Sequence, residues 1–416
     1  MKKGIVQYLQ KIKFFNREAK LFLITSFIIH LLNGGYQVIF NLYLNSLDYQ
    51  SDFIGTVASV RLIVGALLGI PLGIMTTRLG YRKTLLISGF MAITSIFGLA
   101  NTDSKALIFI FSTLWGITFV LFGIITAPFL AHYSSLEERA HLFSLNFSLH
   151  MWAAMLGSFL GGSITESFQN LFNILSSYKY TLNLFGLISI VALIPIFFLQ
   201  PDKGTNQNKF SEVLKNVIKI SKYHDIRNFL IYSLMIGTGA GLVVPLFNIF
   251  LRIRLEATDF QIGLLISLTQ IATSVGSLFT PYLVGLLGQL YAVVVLQFLS
   301  IPFLIIVGGV PYLPIVSVAY FLRTSLMNMV NPIIEAVSMQ VVHEDERAAA
   351  SSLIRTIRSF GRGIGVYLSG IILANGNYLL PFILTCILYL SGSLIFYFSF
   401  RFNPDLLRKH SMDFSK

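Results

Sequence analysis

The sequence predicts an all-α membrane protein of twelve transmembrane helices in two pseudo-symmetric six-helix bundles, and three observations carry that expectation. Of 416 residues, 55% are hydrophobic and 12% charged, with a mean hydropathy of +0.75; soluble domains of this size are far more polar. The apolar positions gather into twelve runs of about 17 or more residues, each long enough to cross a hydrocarbon core as a helix, and the alternating strands of a transmembrane barrel are not visible. The chain also resembles itself at an offset of 208 residues, the mark of a duplicated unit.

Residues 1–20 place Ile5, Tyr8, Leu9 and Ile12 on one helical face, with Lys3 and Lys11 off it and Lys13 at its edge, the pattern of a helix lying on an anionic membrane surface. The first span, 22–46, is too long for a signal peptide and reads as a retained helix. It carries Asn33, Gln37, Asn41 and Asn45 at four-residue spacing, with His30 one turn earlier. An amide facing lipid would keep unsatisfied polar atoms, so this stripe either lines an aqueous cavity or bonds to other helices. The second span, 54–76, holds Arg61 a third of the way down. A basic loop with Gly73, Arg78, Gly80, Arg82 and Lys83 leads to the third span, 84–100, and then to the fourth, 105–131.

Glu138-Arg139 opens the fifth span, 142–165, where an acidic residue favours the helix dipole. This span contains His150, read either as a titrating group that carries a coupling proton or as a packing residue. After the sixth span, 180–199, a polar linker at 201–225 repeats the amphipathic basic pattern of the N-terminus, with Phe210, Val213, Leu214, Val217 and Ile220 opposite Lys215, Lys219 and Lys222. The seventh span, 227–251, contains Gly237, Gly239, Gly241 and Pro245, which predict either a kink or simple close packing; Asn248 follows. The eighth and ninth spans are 260–286 and 289–309. The tenth, 312–340, carries Arg323, Asn328, Asn331 and Glu335. Glu346-Arg347 opens the eleventh, 349–374, which presents Arg355, Arg358 and Arg362 on one face, and 378–400 is the twelfth.

The repeat aligns Gly55 with Gly263, Leu79-Gly80 with Leu287-Gly288, Glu138-Arg139-Ala140 with Glu346-Arg347-Ala348, Gly157 with Gly365, and Gly162 with Gly370. One residue out of register, Phe40-Asn41 matches Phe247-Asn248. The division expected is a bundle over 1–200, a linker over 201–225, and a second bundle with a tail over 226–416.

Gly73-Ile-Met-Thr-Thr77-Arg78-Leu-Gly80-Tyr81-Arg82-Lys83 resembles the loop signature of the major facilitator superfamily, G-x-x-x-D-R-x-G-R-R/K, with Thr77 where the family usually has Asp. The resemblance implies a solute site between the two bundles near the bilayer midplane, walled by the first, fourth, seventh and tenth helices. It also implies that the loop, with Glu138-Arg139 and Glu346-Arg347, forms a cytoplasmic gate in which the usual Asp locks against the start of the eleventh helix. Ala153-x-x-x-Gly157-Ser158-x-x-Gly161-Gly162 resembles a motif of the antiporter branch, with Ser158 in place of Pro, and equally suits close helix packing. An Arg that the family ties to proton coupling in the fourth helix is missing from 107–123.

Candidate cavity residues are therefore Asn33, Gln37, Asn41, Asn248, Arg323, Asn328, Asn331 and Arg362. Charge-pair or coupling candidates are Glu335, Arg355, Arg358, His150 and Arg61. A charge inside the bilayer costs at least about 2.5–3.5 kcal/mol, so Glu335 is expected to pair with Arg355 or Arg358, and the surplus arginines either attract an anionic group on the substrate or reach lipid phosphates.

The net charge of +12 is not a nucleic-acid signature: with both termini cytoplasmic, 21 of the 30 Lys and Arg fall on that side. Cys386 is alone and the seven His are scattered, so neither a metal nor a cofactor is expected, nor an enzyme acting on lipid. No nucleotide-binding loop occurs. The expectation is a monomeric secondary transporter of the plasma membrane, moving a small organic solute or amphiphile by alternating access, with a proton as the candidate coupling ion. Efflux by antiport, organic-anion import, a lipid flippase and a non-transporting receptor stay open.

Overall fold

A computed structural model describes residues 15–202, 204, 210–343 and 346–402. The helices are α1 (Arg17–Ser46), α2 (Ser51–Leu79), α3 (Tyr81–Ala100), α4 (Lys105–His132), α5 (Leu136–Gln169), α6 (Ile174–Phe197), the linker helix α7 (Phe210–Ser221), α8 (His224–Val243), α9 (Phe247–Leu255), α10 (Asp259–Leu287), α11 (Gln289–Gly309), α12 (Leu313–Gln340), α13 (Arg347–Ala374) and α14 (Leu380–Phe400). The amphipathic pattern expected before residue 15 and the tail beyond 402 lie outside the described residues.

With α8 and α9 counted as one crossing, ten of these segments are long and apolar enough to span a membrane. α5 and α13 complete the expected twelve on length, at 34 and 28 residues. Their composition is more polar because they pack centrally, α5 against α1 and α10, α13 against α8 and α2. The seventh span breaks where Pro245 predicts it: α8 ends at Val243 and α9 begins at Phe247. Its glycines serve close packing, since Gly237 and Gly241 abut the backbone carbonyls of Arg358 and Arg362. Gly157 and Gly34 similarly seat α5 against α1, which gives the glycine motif of α5 a packing role.

The repeat is visible in local geometry. Gly80 and Gly288 adopt φ/ψ of 85/166° and 79/164°, a region open to glycine alone, and each joins two helices in a sharp turn. Arg139 donates to the Ala131 carbonyl and Arg347 to the Met339 carbonyl, at 3.1 and 3.0 Å, so each arginine caps the end of the helix before its own.

The two ends of the molecule differ. At the far end, where α1 turns into α2 and α9 into α10, one hydrophobic cluster runs through both halves, from Leu42 and Ile54 to Leu251 and Ile262. At the terminal end, which holds α7 and the α2–α3 loop, a separate cluster around Phe229, Val293, Ile333 and Phe400 belongs to the second half alone. α2 shows the divergence along its length. A Cβ on Gly55 would lie 2.7 Å from the Gly370 Cα of α13, whereas Gly69 and Gly73 have nothing within 4 Å. The halves touch at the far end and part at the terminal end.

Candidate functional site

The far-end seal is built from repeat-related residues. Gly263 approaches Gly162 as Gly55 approaches Gly370, so two glycine crossings bring α10 onto α5 and α2 onto α13. Between them Asn41 of α1 donates to the Pro245 carbonyl at 2.7 Å and to the Asn248 side chain at 3.0 Å, while Asn248 donates to the Val38 carbonyl at 2.8 Å. Each asparagine bonds the carbonyl three residues before its partner, a reciprocal clasp about the pseudo-twofold axis. Asn248 is 2% exposed. This corrects the expectation that Asn41 and Asn248 line the cavity: their amides satisfy each other and backbone carbonyls, and so close it.

A second contact at this end was not expected. Asp259, 1% exposed at the first turn of α10, accepts from Tyr178 Oη of α6 at 2.7 Å and Gln169 Nε2 of α5 at 2.6 Å, and pairs with Arg252 of α9. Glu166 of α5 accepts from the Phe260 backbone N–H at 2.7 Å, capping α10 from the other half. The sequence shows the helix start, Thr258-x-x-Gln261, which forms a capping box. It carries no signal that the partners come from residues 166–178.

Below the seal, the polar stripe of α1 continues along the helix. Asn41 faces across the seam, and Gln37, Asn33 and His30 follow on the same face at helical spacing. Gln37 is exposed and Asn33 and His30 are half-buried, so the stripe passes from sealed to open. His30 stacks on His150 of α5 with ring centroids 3.5 Å apart, and Phe119 and Phe122 of α4 meet the edges of His30. His30 Nδ1 is buried without a hydrogen-bond partner.

Three arginines converge from three helices. Arg362 of α13 lies within electrostatic reach of Arg61 of α2, Arg323 of α12, and the phenols of Tyr320 and Tyr389. Arg323, 3% exposed, donates to Tyr389 Oη at 2.7 Å, with its guanidinium 5.9 and 5.6 Å from the Tyr320 and Tyr389 rings. Arg61 stands 5.1 Å over the Tyr36 ring, which packs on Trp115. The expected row Arg355, Arg358 and Arg362 is therefore divided. Arg355 reaches Glu335 at 4.0 Å, both side chains well exposed at 73% and 67%. Arg358 faces Tyr232 in its own half, and Arg362 turns to the seam. Along α12, Asn328 donates to Thr273 Oγ1 at 2.8 Å and Asn331 to Asn328 at 3.1 Å, which continues a polar wall down to Glu335.

At the terminal end, Thr77 bonds back to the Ile74 carbonyl at 2.8 Å, a bond within its own helix. The α3 N-terminus, whose cap residue is the side-chain-less Gly80, is instead held by Asp202, which accepts from the Tyr81 and Arg82 backbone N–H groups. Arg82 donates to the Phe197 carbonyl at 2.9 Å, and Arg78 and Lys83 are exposed. Glu138 completes a capping box with Ser135. Glu346 accepts from Lys219 of α7 at 3.1 Å and from Tyr223 at 3.0 Å; the Lys219 bond holds its carboxyl below the ordinary range against the opposing effect of burial, and Tyr223 adds to the lowering. These loop residues thus brace their own helices and the linker, with the two halves apart. No group of three or more metal-ligating side chains occurs among the described residues.

A family model described as Major Facilitator Superfamily matches residues 22–366 and 229–412. No curated protein matches the sequence. Among solved structures, the nucleoside transporter NupG superposes with a TM-score of 0.77 at 14% identity, covering 92% of this chain and 99% of that one. A bacterial homolog of the human lysosomal transporter Spinster, in an inward-facing and unoccupied conformation, gives 0.73 at 12% identity over 92% and 96%. A D-xylose–proton symporter gives 0.72 at 12% over 91% and 97%. With the family model spanning most of the chain and the twelve crossings in place, this protein belongs to the major facilitator superfamily.

Proposed function

We propose that the protein carries a small organic solute across the plasma membrane by alternating access, drawing energy from an ion or solute gradient. Membership of the family makes it a multi-pass membrane transporter. One observation carries the rest: the halves are clasped at one end by repeat-related contacts and parted at the other, with a polar and cationic wall between. The basic excess on the terminal end supports a cytoplasmic location for both termini, which makes this the inward-open conformation. His150, which stacks on His30 of α1, is the candidate carrier of a coupling proton. Efflux by antiport draws no support from the α5 glycines, which are occupied in packing. The test is a thermal-shift screen of solutes on the purified protein, then flux of each hit into proteoliposomes with and without a proton gradient. Saturable flux is expected; a hit that binds and is never moved under any gradient overturns the proposal.

A further inference from the structure

On the transport reading above, a solute entering the chamber approaches three guanidinium groups at its upper end, with Arg61 and Arg362 half-buried and Arg323 buried. We propose that Arg61, Arg323 and Arg362 bind a doubly charged oxyanion group, a phosphate monoester or a pair of carboxylates, on that solute.

The charge balance is the first ground. Arg252 pairs with Asp259 and Arg355 with Glu335. Among the described residues no Asp or Glu forms an ion pair with Arg61, Arg323 or Arg362. Three like charges in a low-dielectric enclosure repel one another and lack the hydration they would have in water. Their neighbours are the phenols of Tyr36, Tyr320 and Tyr389, which are weak acceptors and do not neutralise.

The second ground is unused donors. The Nε atoms of Arg323 and Arg362 are both buried with no acceptor. A guanidinium presents Nε and a terminal nitrogen as a planar fork that matches two oxygens of a carboxylate or phosphate. Arg323 spends one terminal nitrogen on Tyr389 and keeps Nε free. Arg362 is half-buried, as a residue on a chamber wall is. An anion of charge −2 leaves a residual +1 on the cluster, whereas a monoanion leaves +2.

The third ground is position. Arg61 belongs to the first half, and Arg323 and Arg362 to the second. An anion held between them is bonded by both halves at once, beneath the clasp of Asn41 and Asn248. Apolar rings flank the group: Trp115 behind Tyr36, and Phe247 stacked on Tyr320 at 3.7 Å.

Trp115 offers a direct readout. In the Trp152→Phe background, the full-length protein in nanodiscs of neutral lipid is titrated with succinate, inorganic phosphate and glycerol phosphate, and with the uncharged succinamide and glycerol. The expected result is a saturable change in Trp115 fluorescence with at least one dianion and none with the neutral compounds. Binding should weaken about tenfold or more in Arg362→Gln and in Arg61→Gln, each of which removes charge-assisted bonds. Because each variant also relieves repulsion, its unliganded melting temperature should equal or exceed that of the parent while its anion-induced stabilisation is lost. A parallel titration of phosphatidic acid, whose headgroup is a phosphate monoester, into the discs separates a lipid phosphate from a free solute: a response there, lost in the same variants, assigns the site to the headgroup.

Absence of any response to the soluble dianions and to the anionic lipid overturns the assignment, as does unweakened binding in both variants. A protein that carries only neutral solutes would remove the anion site and leave the transport cycle intact. One that binds dianions without ever opening at the far end would keep the site and remove the cycle.

Discussion

Removing the Asp259 side chain should unseal the far end. Its carboxylate is bonded across the seam by Tyr178 at 2.7 Å and Gln169 at 2.6 Å, and within its own half by Arg252. Only the first two bonds exist solely in the sealed state. Hydrogen bonds to a charged group are each worth about 1.5–3 kcal/mol net. Water that enters on opening replaces part of that, so Asp259→Ala should disfavour the sealed state by about 3 kcal/mol, roughly a 150-fold shift in the equilibrium at 1.4 kcal/mol per factor of ten. A wild-type population near 99:1 would fall below one half. Spin labels at Leu171→Cys and Arg254→Cys, exposed positions in the first and second halves at this end, in a Cys386→Ser background, report the separation by pulsed dipolar spectroscopy. A longer-distance population should appear in Asp259→Ala and not in the control Asp52→Asn, whose exposed carboxylate accepts from its own neighbour Phe53 N–H. An unchanged distribution in Asp259→Ala would refute the assignment of this carboxylate to the seal.

Two further outcomes concern the terminal end. Thr77→Asp supplies the acidic residue that the family loop usually carries against the start of α13, so it should raise the population closed at this end, read as slower alkylation of Ser352→Cys, an exposed site on α13; equal rates in the two proteins would exclude a locking role for that position. The clasp between α7 and α13 should depend on pH. Glu346 is held below the ordinary carboxylate value of 4.5 chiefly by Lys219, so the contact is intact above that value and weakens as pH falls through the lowered one. Amide exchange in α7 should rise only in acid, and Lys219→Gln should remove that dependence.

The architecture was legible because membrane-spanning helices announce themselves through length and apolarity, and because a duplication writes the same unusual residues twice. Gly80 and Gly288 share a backbone conformation that other residues avoid, and Arg139 and Arg347 make the same cap, so both pairs stood out by offset alone. Pro245 marked the break between α8 and α9 because proline cannot supply the N–H that a continuous helix needs. The site was less legible. Asn41 and Asn248 were recognisable as a polar pair related by the repeat, yet whether such residues face water or each other depends on where the pseudo-twofold axis passes, which no spacing encodes. Arg355, Arg358 and Arg362 share one helical face, and the structure divides them because their depths differ: Glu335 meets the outermost, whereas Arg61 and Arg323 converge on the innermost. Asp259 and Asp202 went unnoticed because each acts on a helix terminus or partner supplied by distant sequence.

The most direct test of alternating access is a reversible lock on the clasp itself. Asn41→Cys with Asn248→Cys, in the Cys386→Ser background, places two thiols where the amides now meet, and oxidation should join the halves at the far end. In proteoliposomes loaded with a transported solute, flux should cease on oxidation and return on reduction. Undiminished flux through fully crosslinked protein would contradict a chamber whose opening must switch ends.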